Sequence, residues 1–571
     1  MKKCLITILL VSAFLALECF ESVANGQTVV RDGISYRTIS AKEYRDKMKA
    51  GWIGQIAGVC WGAPTEFHYQ DVIMPADKMP LWKPEMINDA FGQDDLYVEM
   101  TFLRSMEEHG LDVSIRQAGI DFANSEYGLA HANYFGRRNL RLGIAPPDSG
   151  HPKFTEHSDD IDYQIEADFS GLISPGMPNN AIKMGNVFGR LMNYGDGMYA
   201  GIFVGAMYAE AFFEKDMKKV IEVALESIPA DSQYAEMVRD ILKWYEEEPN
   251  DWEKTWEKIN AKYQHNPDYR RFACDPGTFN IDAKINGAYI LMGMLYGQGD
   301  LDQTIIISAR CGQDSDCNPS NAAGVLFTSL GFSKLPARFS EKLDETRIFS
   351  HTAYNFPALI DVCEKLTLQA LKNSKGFVEK NEQGEEIFFI PVVKPEPGPL
   401  EQSWDPKPAE ESKFTEEELK KITWTDPVLN MGKYVNELFP DWSIRLCGPD
   451  MHPGIRENWL GRDKVLMTHP FDNETGCVLF KTVELPKGKS KLELVVSHHP
   501  DTDWQLIVRV NDKVLKDVIV NKALDDEKGW AHLDVDLSEF AGQTVNLELE
   551  NKSNDWFCEA AYWAEINIKN F

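Results

Sequence analysis

"CGQDSDCNPSNAAG" occupies Cys311–Gly324. Asp314 and Asp316 stand two residues apart, framed by Gly312 on one side and by Cys317 and Asn318 on the other. The small and apolar residues that follow read as the start of a buried helix. Two aspartates ahead of a helix can simply cap it and meet its macrodipole. They can also be half of a larger cluster, but gathered carboxylates repel, so a cluster needs a cation or shared protons. The choice depends on what the rest of the chain offers them.

It offers two further acidic positions, each at an element boundary. Asp94 and Asp95 open a helix in "FGQDDLYVEM", and Glu66 ends "GVCWGAPTE". Carboxylate oxygens are hard ligands suited to Mg²⁺, Mn²⁺ or Ca²⁺. Taken singly, either aspartate pair reads better as a cap.

The surrounding pattern is helical from Ile39 to about Lys375. Met48, Ile53, Ile56 and Val59 recur near a 3.6-residue period, and Met100, Leu103 and Met106 repeat it before a stop at Gly110. "MYAGIFVGAMYAEAFF", "INGAYILMGMLYGQG" and "NAAGVLFTSLGF" are apolar nearly all round, as central buried helices are. Gly201, Gly205, Gly287, Gly293 and Gly324 lie inside these helices. A helix-interior glycine costs about 1 kcal/mol, so each marks a close approach by another helix or a ligand.

Beyond Gly376 the character changes. "KPEPGPLEQSWDPKPAEES" is proline-rich and charged and reads as a linker. After Ile422 the period becomes two, in "SKLELVVSHH", "DWQLIVRVND", "AHLDVDLSEF" and "QTVNLELENK", which predicts a β-sandwich. The expected organisation is a signal peptide over 1–26, an all-α domain over 27–375, a linker over 376–421 and an all-β sandwich over 422–571.

The chain has 571 residues and a formal net charge of −30. That charge opposes nucleic acid and anionic membrane surfaces as partners. Met1-Lys2-Lys3, the apolar run Leu5–Leu17, and Ala24 and Gly26 before Gln27 have the form of a secretory signal peptide. Glu18 ahead of Cys19 does not suit a lipoprotein site. No later stretch is long and apolar enough to span a bilayer. The expectation is a secreted or periplasmic protein with no integral membrane segment after cleavage. Eight cysteines would remain, scattered, with no CxxC and no His/Cys cluster at zinc spacing in the sequence, so most are expected to be buried thiols.

Three segments in order resemble the ADP-ribosylglycohydrolase family. "GQDSDCNPSNAAGVL" looks like its GGDTDT-x-A-x-x-G segment, "GQDDLYVEM" its TDDT segment, and "GWIGQIAGVCWGAPTEF" its opening helix. "NYGDGMYAGIFVGAMYAEAFF" sits where the family has T-H-x-D-P and a buried helix. The likeness runs from about Tyr44 to Leu335. It implies an all-α fold holding two Mg²⁺ ions, with Mn²⁺ an alternative. Asp94, Asp95, Asp314 and Asp316 would be ligands, and Glu66 would position or activate water. The family's ligating threonines are Gln93, whose amide oxygen can still bind Mg²⁺, and Cys317, whose thiol is a poor Mg²⁺ ligand.

Where many members carry N-G-A-x-M-R, this chain has "DDIDYQIEADFSGLISPGMPNNA". Glu166 and Asp168 there are candidates for general acid and base, and Asp162 for substrate binding; the alternative is a solvated acidic loop. Asn133 and Arg137 are further candidates to bind a substrate hydroxyl or carboxylate. Arg138 and Arg141 read as surface bases, His131 as structural, and Trp52 and Trp61 as core. The C-terminal strands resemble galactose-binding-like and carbohydrate-binding domains. Together these imply an exported Mg²⁺-dependent hydrolase that cleaves a glycosidic bond at an anomeric carbon, acting on a small-molecule or glycan substrate. The alternatives are a true ADP-ribosyl-protein hydrolase and a non-catalytic glycan-binding protein.

Overall fold

Ser40 ends a strand and begins a helix, its Oγ accepting from the Glu43 N–H at 3.1 Å. The helix it caps, Ala41–Gly62, is buried along most of its length and forms the axis of the first of two units, which meet between Ile422 and Thr423. The computed structural model describes residues 28–274, 277–422, 427–500, 502–526, 528–554 and 558–570. The signal-peptide expectation for 1–26 lies outside them. No helix among the described residues is long and apolar enough to cross a membrane.

Cys317–Leu330 packs along the Ala41–Gly62 axis; Gly195–Ala211 and Ala283–Tyr296 pack on Cys317–Leu330 and on each other, and Asp94–His109 meets the axis through the Gln55–Glu99 hydrogen bond. Gly195–Ala211 and Ala283–Tyr296 are buried at every residue, as their all-round apolar sequences require. Asp94–His109 stops at Gly110, whose φ of 84° lies in the left-handed region. The internal glycines meet protein. A Cβ on Gly324 would lie 1.6 Å from the Tyr208 hydroxyl, and one on Gly205 2.1 Å from the Ser170 hydroxyl.

The closest helix pair is Ala41–Gly62 against Cys317–Leu330. Gly54, Gly58 and Gly62 form a stripe at four-residue spacing along one face. A Cβ on them would stand 2.5 Å from Ala323 O, 2.3 Å from Pro319 O and 2.0 Å from Ser315 O. Only hydrogen fits there, so the helix backbones touch and the 314–316 turn rests on the end of the first helix.

The first unit is not purely helical. Thr28–Arg31, Ile34–Ser40, Glu386–Pro391 and Phe377–Lys380 form a four-stranded antiparallel sheet in that spatial order. Its hairpin turns at Asp32 (φ 50°) and Gly33 (φ 79°), a D-G pair suited to that turn.

The expected linker is part of this unit as well. After Pro391 the chain runs over the helices and hydrogen-bonds to them. Glu401 N–H donates to the Tyr199 hydroxyl at 2.7 Å, and the N–H groups of Glu410 and Ser412 donate to Asp148 at 3.0 and 2.8 Å. Arg190 pairs with Glu401 at 2.9 Å, and Arg116 pairs with Glu418. Proline keeps the segment extended and removes N–H groups, and the helical surface takes up several of those that remain.

The second unit has two five-stranded antiparallel sheets. One runs Lys513–Val520, Trp504–Val510, Thr544–Lys552, Cys477–Glu484, Ser443–Arg445, and the other Ala531–Asp536, Ser490–His498, Ala561–Asn570, Arg462–Thr468, Gly454–Trp459. Ala531–Asp536 alternates buried and exposed at each residue, as a strand with one covered face must. Trp504 and Trp563 meet in the core, 5.2 Å between ring centroids. The helix Pro427–Leu438, not expected from the sequence, contributes Met431 and Val435 to that core.

Candidate metal centre

The turn at 312–316 is held by neighbours before it can hold anything else. Gly312 and Gln313 have φ of 90° and 53° and reverse the chain. Gln313 N–H donates to Tyr69 O at 2.9 Å, and Gln313 O accepts from Phe67 N–H at 3.1 Å. The Gln313 amide reaches the other way, accepting from Asn280 N–H at 3.0 Å and donating to Thr278 O at 2.8 Å. Thr65 Oγ1 lies 2.8 Å from Ser315 Oγ. Glu66 and the Asp314–Asp316 turn are thereby fixed side by side.

Glu66, Asp314 and Asp316 offer ligand atoms within 4.8 Å of one another, and so do Asp95, Asp316 and Cys317. Asp316 is common to both groups. Asp316 occupies the N-cap position of Cys317–Leu330, yet its side chain makes no capping hydrogen bond. The Cys317 thiol donates to Asp95 Oδ2 at 3.2 Å, while Asp95 Oδ1 and Asp314 Oδ1 are buried without a hydrogen-bond partner among the described residues. A buried carboxylate oxygen without a donor is unfavourable unless a proton or a cation meets it. Gln93 and Asp94 fall outside both groups. Gln93 is half-buried, and Asp94, exposed at the helix start, is one of the charges acting on Glu66, Asp95 and Asp316.

The electrostatics agree. Burial, then the charges of Asp316 and Asp94, push Glu66 up to about 7. Burial lifts Asp314 to about 7. Asp95 and Asp316 are raised further, by burial first and by neighbouring carboxylates second. No lysine or arginine is among the leading influences on these groups. The donor set is oxygen-rich and anionic and fits hard divalent cations such as Mg²⁺ or Mn²⁺.

The segment 159–181 is buried and ordered, not a solvated acidic loop. Glu166 is fully buried. It accepts from Asn133 Nδ2, and its Oε2 and Asn133 Oδ1 have no partner among the described residues. Asp94 and Asp95 are among the charges that raise its pKa, after burial and Asp162. Asp168 lies a layer deeper. One oxygen accepts from the Tyr208 hydroxyl and the other from Asn321 Nδ2 at 2.7 Å, so the carboxylate ties helices together. Asp162 accepts from the N–H groups of Ala132 (3.2 Å) and Asn133 (2.8 Å). It thereby caps the helix His131–Arg141, whose own N-cap, Ala130, has no side chain able to do so. Arg137 turns to Ser125 Oγ at 3.0 Å and lies over the Tyr127 ring, 5.5 Å from its centroid. The contacts of Asp162, Asp168 and Arg137 are thus internal.

Trp52 is fully buried, and Trp61 Nε1 donates to Pro80 O at 2.6 Å. Sequence reasoning passed over Glu99, which is fully buried, accepts from Gln55 Nε2 at 2.5 Å and Phe169 N–H at 2.9 Å, and has its pKa raised by burial first and by the charges of Asp168 and Asp95 after it. Its signal was present: Glu99 follows Asp95 by four residues and shares its helix face.

Residues 40–373 match the ADP-ribosylglycohydrolase family. An uncharacterised protein of Archaeoglobus fulgidus is 28% identical over 122 residues, covering 18% of this chain and 30% of that protein, so the chain spans under a third of that relative's length. A solved structure described as an ADP-ribosylglycohydrolase-related protein complex is similar over 58% of this chain and 99% of its own, at 14% identity and a TM-score of 0.38. A family 35 carbohydrate-binding module from Clostridium thermocellum is similar over 23% of this chain and 93% of its own, at 13% identity and a TM-score of 0.17.

Proposed function

The chain belongs to the ADP-ribosylglycohydrolase family, and from that premise we propose that it is an exported hydrolase that cleaves a neutral glycoside at its anomeric carbon with two divalent cations. The observation that carries this reading is the pair of carboxylate groups that share Asp316. Asp314 and Asp316 would hold one cation, with Glu66 beside them at the exposed edge; Asp95 and Asp316 would hold the other, with Asp94 adding charge from the rim. Cations bound there supply Lewis-acid charge and lower the pKa of bound water.

The chain's own residues supply the rest. Glu66, at the exposed edge of this group, is placed to accept a proton from water. Burial favours the protonated form of the Glu166 carboxyl, whose Oε2 has no partner among the described residues and could donate, while Asn133 Oδ1 beside it could accept. That pair suits sugar hydroxyls. A diphosphate-bearing ligand would lie among these carboxylates with no lysine or arginine prominent near them, which favours a neutral sugar.

The test assays the full chain with Mg²⁺ or Mn²⁺ against neutral furanosides and pyranosides and against ADP-ribosylated arginine and serine. Turnover of a neutral glycoside is expected, with Glu66→Gln lowering kcat at least about a hundredfold while bound metal is retained. Efficient release of ADP-ribose with no turnover of neutral glycosides would overturn the substrate assignment.

A further inference from the structure

Away from the carboxylate groups lies a set of side chains of different chemistry. We propose that His131, His157 and Cys274 bind one borderline-soft divalent cation, Zn²⁺ foremost, which clamps together three segments of the helical unit. Their ligand atoms lie within 4.8 Å of one another, and all three residues are partly exposed, so an ion can reach them from solvent. His131 begins the helix that carries Asn133, His157 lies in the loop before Asp162, and Cys274 lies in the segment leading to Ala283.

The arrangement is supported from behind. Asp160, fully buried, accepts from Cys274 N–H at 2.8 Å and contacts His157 Nδ1 at 2.8 Å, with His131 Nδ1 at 3.8 Å. A carboxylate holding one imidazole nitrogen orients the ring and leaves the other nitrogen's lone pair for a metal. Both rings are further held by stacking. Phe135 lies on His157 at 4.4 Å and 10°, and Phe279 lies against His131 at 5.7 Å and 25°. His131 has a φ of 49°, a conformation few non-glycine residues adopt.

A thiolate with two imidazoles is a donor set for zinc and a poor one for Mg²⁺. The two kinds of site would therefore sort their ions by ligand type. Three protein ligands leave a fourth position for water. The ion would tie the Cys274 segment, with Phe279 that packs on Phe67 beside Glu66, to the helix bearing Asn133.

The experiment uses the full chain, stripped with a chelator and then given saturating Mg²⁺ to fill the carboxylate centre. On titration with Co²⁺, one equivalent should produce a thiolate-to-cobalt charge-transfer band, and Zn²⁺ should abolish it. Cys274→Ser should lose the band, Cys317→Ser should keep it, and Asp160→Asn should weaken binding about ten- to a hundredfold. Mass-spectrometric mapping of alkylation on the wild type gives a readout that needs no variant to fold, with Zn²⁺ expected to protect Cys274. No band in the wild type, or a band kept by Cys274→Ser and lost by Cys317→Ser, would overturn the assignment. Alkylation of Cys274 unaffected by Zn²⁺ would do so independently.

Discussion

Two clusters of acids sit in the same helical unit, buried except for Glu66 at the edge of one, and they differ in one component. Asp159, Asp196 and Asp282 surround Lys284, whose Nζ lies 3.4, 3.7 and 3.1 Å from their carboxylates. Burial opposes the lysine's charge, but the three carboxylates outweigh it and raise its pKa. Backbone and hydroxyl donors add to the set, from Tyr234 N–H to Asp196 at 3.0 Å and from Ser403 Oγ to Asp159 at 2.5 Å, while Asp282 Oδ2, without a hydrogen bond among the described residues, still faces the Lys284 ammonium. The Glu66, Asp95, Asp314 and Asp316 cluster has a similar density of acid, with no such lysine and with two oxygens lacking donors. Where the chain supplies its own cation, the acids serve the fold. Where it supplies none, they are left able to bind one from outside.

The largest effect should come from removing the built-in cation. Lys284→Met leaves three buried carboxylates uncompensated, and a loss of roughly 3–5 kcal/mol in denaturant unfolding is expected. A loss within experimental error would erase the distinction drawn between the clusters. The opposite change at the other cluster should spare the fold. Asp314→Asn with Asp316→Asn should abolish bound Mg²⁺ or Mn²⁺ by elemental analysis and leave the metal-free protein at least as stable as wild type, because two mutually repelling acids are gone. Metal retained at full stoichiometry in that variant would refute the ligand assignment.

A third effect is graded with pH. In the folded, metal-free chain, Asp162 keeps its proton to about 8, and Asp168, Asp314 and Glu66 keep theirs to about 7. In the unfolded chain these groups lose protons near pH 4. The folded state therefore binds more protons between about pH 4 and 8, and stability should fall as pH rises through that window. The melting temperature in chelator should be lower at pH 8 than at pH 5, and added Mn²⁺ should raise it more at pH 8, because metal competes with protons for the same oxygens. The smallest change is Cys317→Thr. A hard hydroxyl in place of a thiol should tighten Mg²⁺ binding about tenfold or less in calorimetry. Weaker binding would show that the thiol's hydrogen bond to Asp95 matters more than ligand hardness.

The contrast also marks what the sequence could disclose. Asp94, Asp95, Asp314, Asp316 and Glu66 stood at element boundaries, where spacing alone favoured helix caps, and it was the resemblance of their segments to the family that marked them as candidates. Lys284 and its carboxylates come from three places along the chain, Asp159, Asp196 and the 282–284 stretch, and only folding brings these together. His131, His157 and Cys274 escaped for the same reason, since metal spacing in sequence is a property of local motifs. The segment 376–421 was misread because proline and charge mark an extended chain without saying whether that chain lies against a surface. The tyrosines and Asp148 that receive it belong to distant segments. Asp162 and Asp168 were read as chemistry because carboxylates in a row suggest it, whereas burial turned one into a cap and the other into a cross-brace.

The glycine stripe at 54, 58 and 62 has a mechanical meaning. Two helices lying flush act like surfaces in a jig, and the workpiece is the 314–316 turn seated on the end of one of them. Ser315 O would stand 2.0 Å from a Cβ at Gly62, so a single methyl there is a shim of about an ångström or more, inserted under the part that must be placed most closely. Metal ligands tolerate errors of only about 0.2 Å. A position on which the placement of the turn depends would then be one that carries no functional group at all, and a search for function among reactive side chains would pass over it.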